Sequence, residues 1–436
     1  MVIIVGAGLA GLACATRLEE AGADWLLVES SPGPGGRVVT EVTPEGYRLD
    51  RGFQVLLDSY PTARRLLDWE ALRPCYFESG ALMVDGNGDS VRWERFLNPL
   101  RHPEWLLGAP LATSFSLREK ITLAAYAAIQ LPRSDASLTA RECGRFTMEE
   151  LRSLGLGGPV LEKFLRPFFS GVFLDCELGS DASIFRLDLK KFALGRALLP
   201  AGGMGEITRQ LADKLPSVRQ RYGKTVTGLK PAAEGKGDGE RVTGVVLSNG
   251  EELLCGSLVL ATDEGASRHL LGLPMEGGRP WMEVSTLYFT GDHPLYEGAL
   301  LVLPSGLKGD GSRRLVAHFT DLTNTAPDYA PAGKRLLSAT ILTPPEEELP
   351  ADDLLHILAQ AEITELLPRF ADWTFLKEVR IRRALPSQAP SSRGEQLERH
   401  PASNLWLAGD QCAHASIDSA LASGLRAAEE VLATQG

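Results

Sequence analysis

Apolar and polar positions follow two different rhythms along this chain, and both are clearest at its ends. Val2-Ile3-Ile4-Val5 is a short unbroken apolar run, the pattern of a strand buried on both faces of a parallel sheet. An amphipathic stretch from Leu9 to about Ala21 follows and stops at Gly22, a residue suited to ending a helix. Trp25-Leu26-Leu27-Val28 predicts a second strand, closed by Glu29. Near the other end, Asn404-Leu405-Trp406-Leu407-Ala408 predicts a strand that Gly409-Asp410 terminates. From about Ser416 to Ala433, Ile417, Ala420, Leu421, Gly424, Leu425, Ala428, Val431 and Leu432 share one helical face.

Between these ends the rhythm changes twice. Residues 95–195 predict mainly helix. Ser116-Leu117-Arg118-Glu119 is a capping box ahead of an apolar helix pattern that runs to Leu131, and Thr147-Met148-Glu149-Glu150 reads as a second box. Phe164, Phe168, Phe169, Val172 and Phe173 cluster around Arg166 and Pro167. Leu199 to Met204 leads into a helix pattern over Glu206 to Leu215, and Lys224 to Leu229 reads as a strand. Pro231 to Glu240 reads as a polar loop. Arg241 to Leu247 and Glu251 to Leu260 read as a hairpin about Asn249-Gly250, and Val259 to Asp263 ends a strand that returns toward the ligand site. Residues 275–390 mix short strands with one helix, about Asp352 to Leu367.

The N-terminal elements enclose a chemical signal. Gly6-Ala7-Gly8-Leu9-Ala10-Gly11 lies between strand and helix, with a second strand and the acidic Glu29 about twenty residues on. A lone GxGxxG says little, but this context is that of a Rossmann-type dinucleotide site. Gly6 permits the tight turn, Gly8 lets backbone approach a pyrophosphate, and Gly11 lets helix and strand pack closely. Ala10 follows on the same turn. The helix N-terminus offers free N–H groups and partial positive charge to phosphates. Glu29 is a ribose-hydroxyl acceptor that would repel a 2′-phosphate, and Ser30 follows it. A glycine-rich turn without a ligand is the bland alternative, and it sits poorly with so complete a context.

Composition narrows the class. The 436 residues predict two or three domains, and 44% hydrophobic with 23% charged residues is ordinary for a soluble globular protein. A net charge of -11 disfavours nucleic acid as a partner. The six cysteines form no CxxC pair or zinc-like cluster, and the seven histidines form no HExxH, so buried reduced thiols in a cytoplasmic setting are expected. A first strand at Val2 leaves no room for a signal peptide, and no apolar run is long enough to span a bilayer. Peripheral membrane contact stays open.

Further motifs separate one dinucleotide from another. Gly35-Gly36-Arg37, in a loop after Glu29, resembles the GGR segment of the FAD-dependent amine oxidase superfamily, which includes monoamine and polyamine oxidases, protoporphyrinogen oxidase and carotenoid desaturases. Asp50-Arg51-Gly52-Phe53-Gln54 resembles that family's DxG segment beside the flavin ring. Gly409-Asp410 with Ala415-Ser416-Ile417-Asp418-Ser419-Ala420 resembles its second FAD motif and looks closer to the desaturases than to the amine oxidases. Asp418-Ser419 departs from the Glu-Gly of many relatives. The resemblance implies noncovalent FAD, with Arg37 against the diphosphate and Gly52, Phe53 and Gln54 near the isoalloxazine or substrate. It also implies backbone of Val226 on the adenine, Asp410 on the ribityl side, and the helix start at Ser416 and Ile417 facing the pyrimidine edge.

The expected fold is α/β. A Rossmann-type FAD-binding domain is assembled from discontinuous segments 1–90, 196–275 and 396–436, with a helical insertion over 91–195 and a mixed α+β substrate domain over 276–395. The expected function is FAD-dependent oxidation of a small apolar organic substrate, by hydride transfer to flavin N5, with a quinone or oxygen as the electron acceptor. Amine oxidation is the first alternative. It is weakened because Trp281 to Phe289, the stretch that corresponds to the amine oxidases' flavin-side lysine, contains no lysine. A nonenzymatic FAD-binding protein is the second. NADPH-dependent reduction is weaker still, for want of a second GxGxxG. No catalytic residue, metal site or oligomeric state is legible.

Overall fold

The computed structural model describes the chain except residues 87–89, 99, 103–113, 140–142, 232–240, 276–277, 309–311, 344–351, 391–401, 413 and 436. Most of the polar loop expected over Pro231 to Glu240 therefore lies outside the described residues.

A parallel five-stranded sheet gathers distant segments in the order Gln220–Arg221, Trp25–Val28, Val2–Val5, Ser257–Leu260, Leu405–Leu407. Ile4 sits between Leu27 and Val259 in register. All four residues of the first strand are buried, so alternate side chains serve two layers. Val2 and Ile4 pack toward the helices Leu9–Glu20 and Ile417–Gln435. Ile3 and Val5 pack toward an antiparallel sheet of Val226–Pro231, Val242–Leu247 and Glu252–Leu254. Asn404 ties that sheet to the C-terminal strand: its amide accepts from the N–H of Val242 at 3.0 Å and donates to its carbonyl at 2.7 Å.

Both ends of the chain match their expected elements within a few residues. The span from Glu251 to Leu260 does not form one hairpin arm. Glu252–Leu254 completes the hairpin, whereas Ser257–Leu260, an apolar run buried along its whole length, enters the central sheet. The second capping box is also displaced. Glu149, not Glu150, accepts from the helix-leading Phe146 N–H at 3.2 Å. The Thr147 hydroxyl donates to the Ser180 carbonyl, and buried Glu150 is held by Tyr126 and Arg186. The box at Ser116 and Glu119 forms as expected.

A seven-stranded mixed sheet runs Thr374–Pro386, Trp281–Gly291, Arg335–Leu342, Val316–Asp321, Leu301–Pro304, Gly80–Asp85, Arg92–Leu97. Gly80–Asp85, from within the stretch 1–90, hydrogen-bonds into it in parallel with Leu301–Pro304. One face carries Leu287, Phe289, Leu337, Ala339 and Ile341 against Leu355, Ala359 and Ile363 of the helix Asp352–Leu366. The opposite face turns toward a cavity. The helices Leu117–Gln130, Arg166–Phe173 and Ala182–Leu194 pack around their own apolar cluster and close the cavity's far side.

Candidate active site

One continuous cavity of about 1180 Å³ runs from the N-terminal turn, under the seven-stranded sheet, into the helical region. Two of the three motif glycines serve packing. Gly6 has φ +107°, and a Cβ there would meet the Ala261 carbonyl oxygen at 2.7 Å; one on Gly11 would lie 1.9 Å from the Gly6 carbonyl oxygen. Gly8 differs, because a Cβ there meets no protein atom within 4 Å. It stands where the cavity reaches the first turn of the helix Leu9–Glu20, which carries no side-chain cap. Such a turn presents unpaired N–H groups to an anion.

Glu29 is buried and fixed by the chain itself. One carboxylate oxygen accepts from the Ala7 N–H at 2.7 Å, and the other accepts from the Ser31 N–H at 2.7 Å and the Ser30 hydroxyl at 3.2 Å. The oxygen that accepts from Ala7 alone keeps a lone pair for a ligand hydroxyl. Gly35, at φ +140°, donates its N–H to the Ala7 carbonyl at 2.9 Å and lays the loop against the turn; Gly36, at φ +61°, brings its backbone toward Gly8.

Arg37 and Asp410, read separately from the sequence, form one bidentate ion pair at 2.6 and 2.7 Å. Arg37 also donates to the Ala384 carbonyl at 3.0 Å. Burial pulls the guanidinium down, but Asp410, with Asp263 behind it, raises it above its ordinary value, so it stays charged. The Gln54 amide donates to the Arg37 and Arg51 carbonyls at 2.9 Å and braces this loop. Gly409, at φ +143°, turns the strand so that Asp410 enters the cavity wall. Arg51, Arg380, Arg382 and Arg383 also border the cavity, with Arg380 paired to Glu283 and Arg383 to Asp263. This donor set, with an uncapped helix start and an acidic acceptor, fits the pyrophosphate and ribose of a dinucleotide.

Ser416 and Ile417 reach the wall at the start of the C-terminal helix. Asp418, at the departure from the family pattern, turns away: it accepts from the N–H groups of Thr62 at 2.8 Å and Ala63 at 2.9 Å and caps the short helix Pro61–Leu66. Gly11 and Val226 lie off the cavity wall. The Val226 side chain packs at the edge of the cluster between the two sheets.

Asp50 anchors the segment that leads past Gly52. Its carboxylate accepts from Thr40 at 2.5 Å, from the Met204 N–H at 2.9 Å and from the Tyr329 hydroxyl at 2.7 Å. Burial pushes it up to about 6 despite these bonds. Beyond Gly52, Phe53 faces Phe77 edge-on at 6.2 Å between centroids. There the cavity widens into a chamber lined by Leu123, Phe164, Phe168, Phe169, Val172 and Phe192. Asp188 and His318 also border it, and sequence pattern did not single out either. His318 occupies one ordinary position in a strand, and Asp188 one in a helix. Burial raises Asp188 to about 7, against a lowering by Lys191.

Among the described residues no group of three metal-ligating side chains occurs, and no helix is long and apolar enough to cross a membrane. Of the six cysteines Cys14 alone is fully buried and Cys143 is exposed, which corrects the expectation of six buried thiols.

The groove fits a dinucleotide and opens into an apolar chamber, and comparison with known proteins specifies the class. The profile of the flavin-containing amine oxidoreductases matches residues 9–432, so the chain belongs to that family and is an FAD-dependent oxidoreductase. It is 27% identical to a phytoene dehydrogenase from Streptomyces griseus, over 85% of this chain and 75% of that one. It is 26% identical to a probable zeta-carotene desaturase from Synechococcus elongatus, over 100% and 99% of the two chains. Its fold matches that of a putrescine oxidase solved with putrescine bound, with a TM-score of 0.71 at 16% identity over 99% and 98% of the chains.

Proposed function

We propose that this chain holds FAD noncovalently along the groove from Gly8 to Asp410 and oxidises an apolar organic substrate lodged in the chamber beyond Phe53. The observation that carries this reading is the continuity of the two spaces: a polar groove opens directly into an aromatic and aliphatic chamber. The first turn at Gly8, Leu9 and Ala10, with Gly35 and Gly36, would take the pyrophosphate. Glu29, with Ser30, would take a ribose. Arg37 and Asp410 would orient the ribityl side as one unit, and Gly52 and Phe53 would border the ring. Gln54 acts through the Arg37 loop. Ser416 and Ile417 would bring the helix start to the pyrimidine edge, and Val226 would reach the adenine through its backbone.

When bound, FAD would supply the acceptor for a hydride from a substrate C–H, with a proton lost from the neighbouring position of the substrate to balance the oxidation. The chain positions that bond and keeps water out, work that needs shape more than reactive side chains. The desaturase-like relatives and the chamber's apolar lining favour a polyene or similar lipid over an amine, and the lysine-free strand Trp281–Gly291 points the same way. A quinone or oxygen would then take up the electrons.

Three spatial units follow. The parallel sheet with its helices is the nucleotide-binding unit, drawn from 1–90, 196–275 and 396–436. The seven-stranded sheet of 276–395 is the substrate unit, and Gly80 to Leu97 belongs with it by pairing. The rest of 91–195 is the helical roof. Leu117, Ile121 and Ile129 stand exposed on this roof, a surface suited to peripheral membrane contact.

The test is anaerobic mixing of the purified yellow protein with isoprenoid polyenes and with polyamines. Bleaching of the flavin's visible absorption by a polyene, with FAD released on denaturation, is the expected result. Bleaching by a polyamine alone would replace this reading with amine oxidation.

A further inference from the structure

The cavity-facing side of the seven-stranded sheet carries a row of polar side chains that bond to nothing in the described chain. His318 on Val316–Asp321 pairs in register with Thr340 on Arg335–Leu342, and Thr340 pairs with Thr286 on Trp281–Gly291. Directly opposed residues on neighbouring strands share one face. All three are at most 3% exposed. Both His318 ring nitrogens and both threonine hydroxyls lack a hydrogen-bond partner among the described residues. His318 and Thr340 border the chamber, and the Thr286 hydroxyl lies 3.9 Å from where a Gly52 Cβ would stand. The row therefore runs from the chamber to the segment placed beside the ring.

The imidazole is held by shape alone. Its ring stands at 61° to Phe53, with 5.4 Å between centroids. On the other side, a Cβ on Gly171 would lie 2.4 Å from its Cε1, so only glycine lets the helix Arg166–Phe173 come this near. Leaving four polar atoms unpaired in an apolar wall costs free energy that valine or leucine would not. Such a cost persists where a guest supplies the missing partners.

Resting on the reading of the chamber as the substrate site, we infer that the substrate is not a bare hydrocarbon: it is an apolar molecule bearing one uncharged oxygen function, a hydroxyl or a carbonyl, bound by His318 and Thr340. Burial brings the His318 ring down to about 4, with no charged neighbour acting on it, so near neutrality it offers one donor and one acceptor. A hydroxyl can use both and a carbonyl can use the donor. A cationic amine would find no counter-charge at this histidine.

The test uses the FAD-loaded protein and four probes of matched length: decane, 1-decanol, 2-decanone and decylamine. Binding is read at equilibrium from perturbation of flavin absorption, and from the ring-nitrogen resonances of isotope-labelled histidine. The parent should bind the alcohol and the ketone roughly ten- to a hundredfold tighter than decane, with one histidine responding to the oxygenated probes only. His318→Leu should lose that preference while binding decane at least as well, and His318→Gln should keep part of it. If His318→Leu fails to load FAD, Thr340→Val should still narrow the preference. Equal affinity for all four probes, binding of none, tightest binding of decylamine, or a preference that survives both variants overturns the inference. These outcomes concern binding, so they stand apart from the polyene bleaching that tests the oxidase reading.

Discussion

The groove proposed for the nucleotide and the chamber proposed for the substrate occupy one cavity but are built on opposite principles. In the groove the polar side chains are tied to the chain itself: Glu29 to Ala7 and Ser31, Arg37 to Asp410, Gln54 to two carbonyls, Asp50 to Thr40, Met204 and Tyr329. In the chamber His318 and Thr340 are buried without such ties. A site for a fixed cofactor gains from donors held in place before binding. A site that selects among guests gains from groups that only the right guest satisfies.

The sharpest test of the first principle separates two kinds of glycine. A Cβ on Gly424 of the C-terminal helix would lie 2.0 Å from the Ala10 carbonyl oxygen, where the two helices beside the sheet touch. Gly424→Ala should cost about 3 kcal/mol of stability, read by denaturant unfolding, with FAD lost as a consequence. Gly8→Ala should leave stability within about 0.5 kcal/mol, since its Cβ meets open space, while lowering FAD uptake because that space is the groove. Equal stabilities for the two variants would erase the distinction between packing glycines and ligand-facing ones.

Breaking the ion pair should have a middling effect. Asp410→Ala strands the Arg37 guanidinium, whose side chain keeps about a third of its exposure. A cost of about 2 kcal/mol is expected, below that of a fully buried pair. Arg37→Ala combined with Asp410→Ala should recover part of it, measured by unfolding and by FAD retention through gel filtration. A double variant as unstable as the two single losses summed would show that the residues act independently.

The smallest effect is a slope. Asp188, raised by burial to about 7 from an ordinary 3.8, holds a proton in the folded state that the unfolded chain has released. The stability this proton contributes is complete below the ordinary value and is lost as pH rises through about 7. Asp188→Asn cannot release it. The thermal midpoint of the variant should therefore rise relative to the parent between about pH 5 and about pH 8. A constant difference would show that Asp188 is not a buried acid facing the chamber.

Local order along the chain determined the elements at both ends. The strands Val2–Val5 and Trp25–Val28 and the turn at Gly6 to Gly11 are legible because periodicity and glycine spacing are local properties. Motif spacing also pointed to Glu29, Arg37, Gly52 and Asp410, all of which line the cavity. Tertiary structure alone decided that Arg37 meets Asp410 across 373 residues, that Asp418 caps another helix, and that Gly80–Asp85 joins the distant sheet. It also decided that His318, Thr340 and Thr286 form one row. The physical reason is that each of these depends on which strands become neighbours. A histidine in a strand reads the same whether it faces solvent, core or chamber, and only the pairing of three strands, with Gly171 pressed against the ring, gives this one its place.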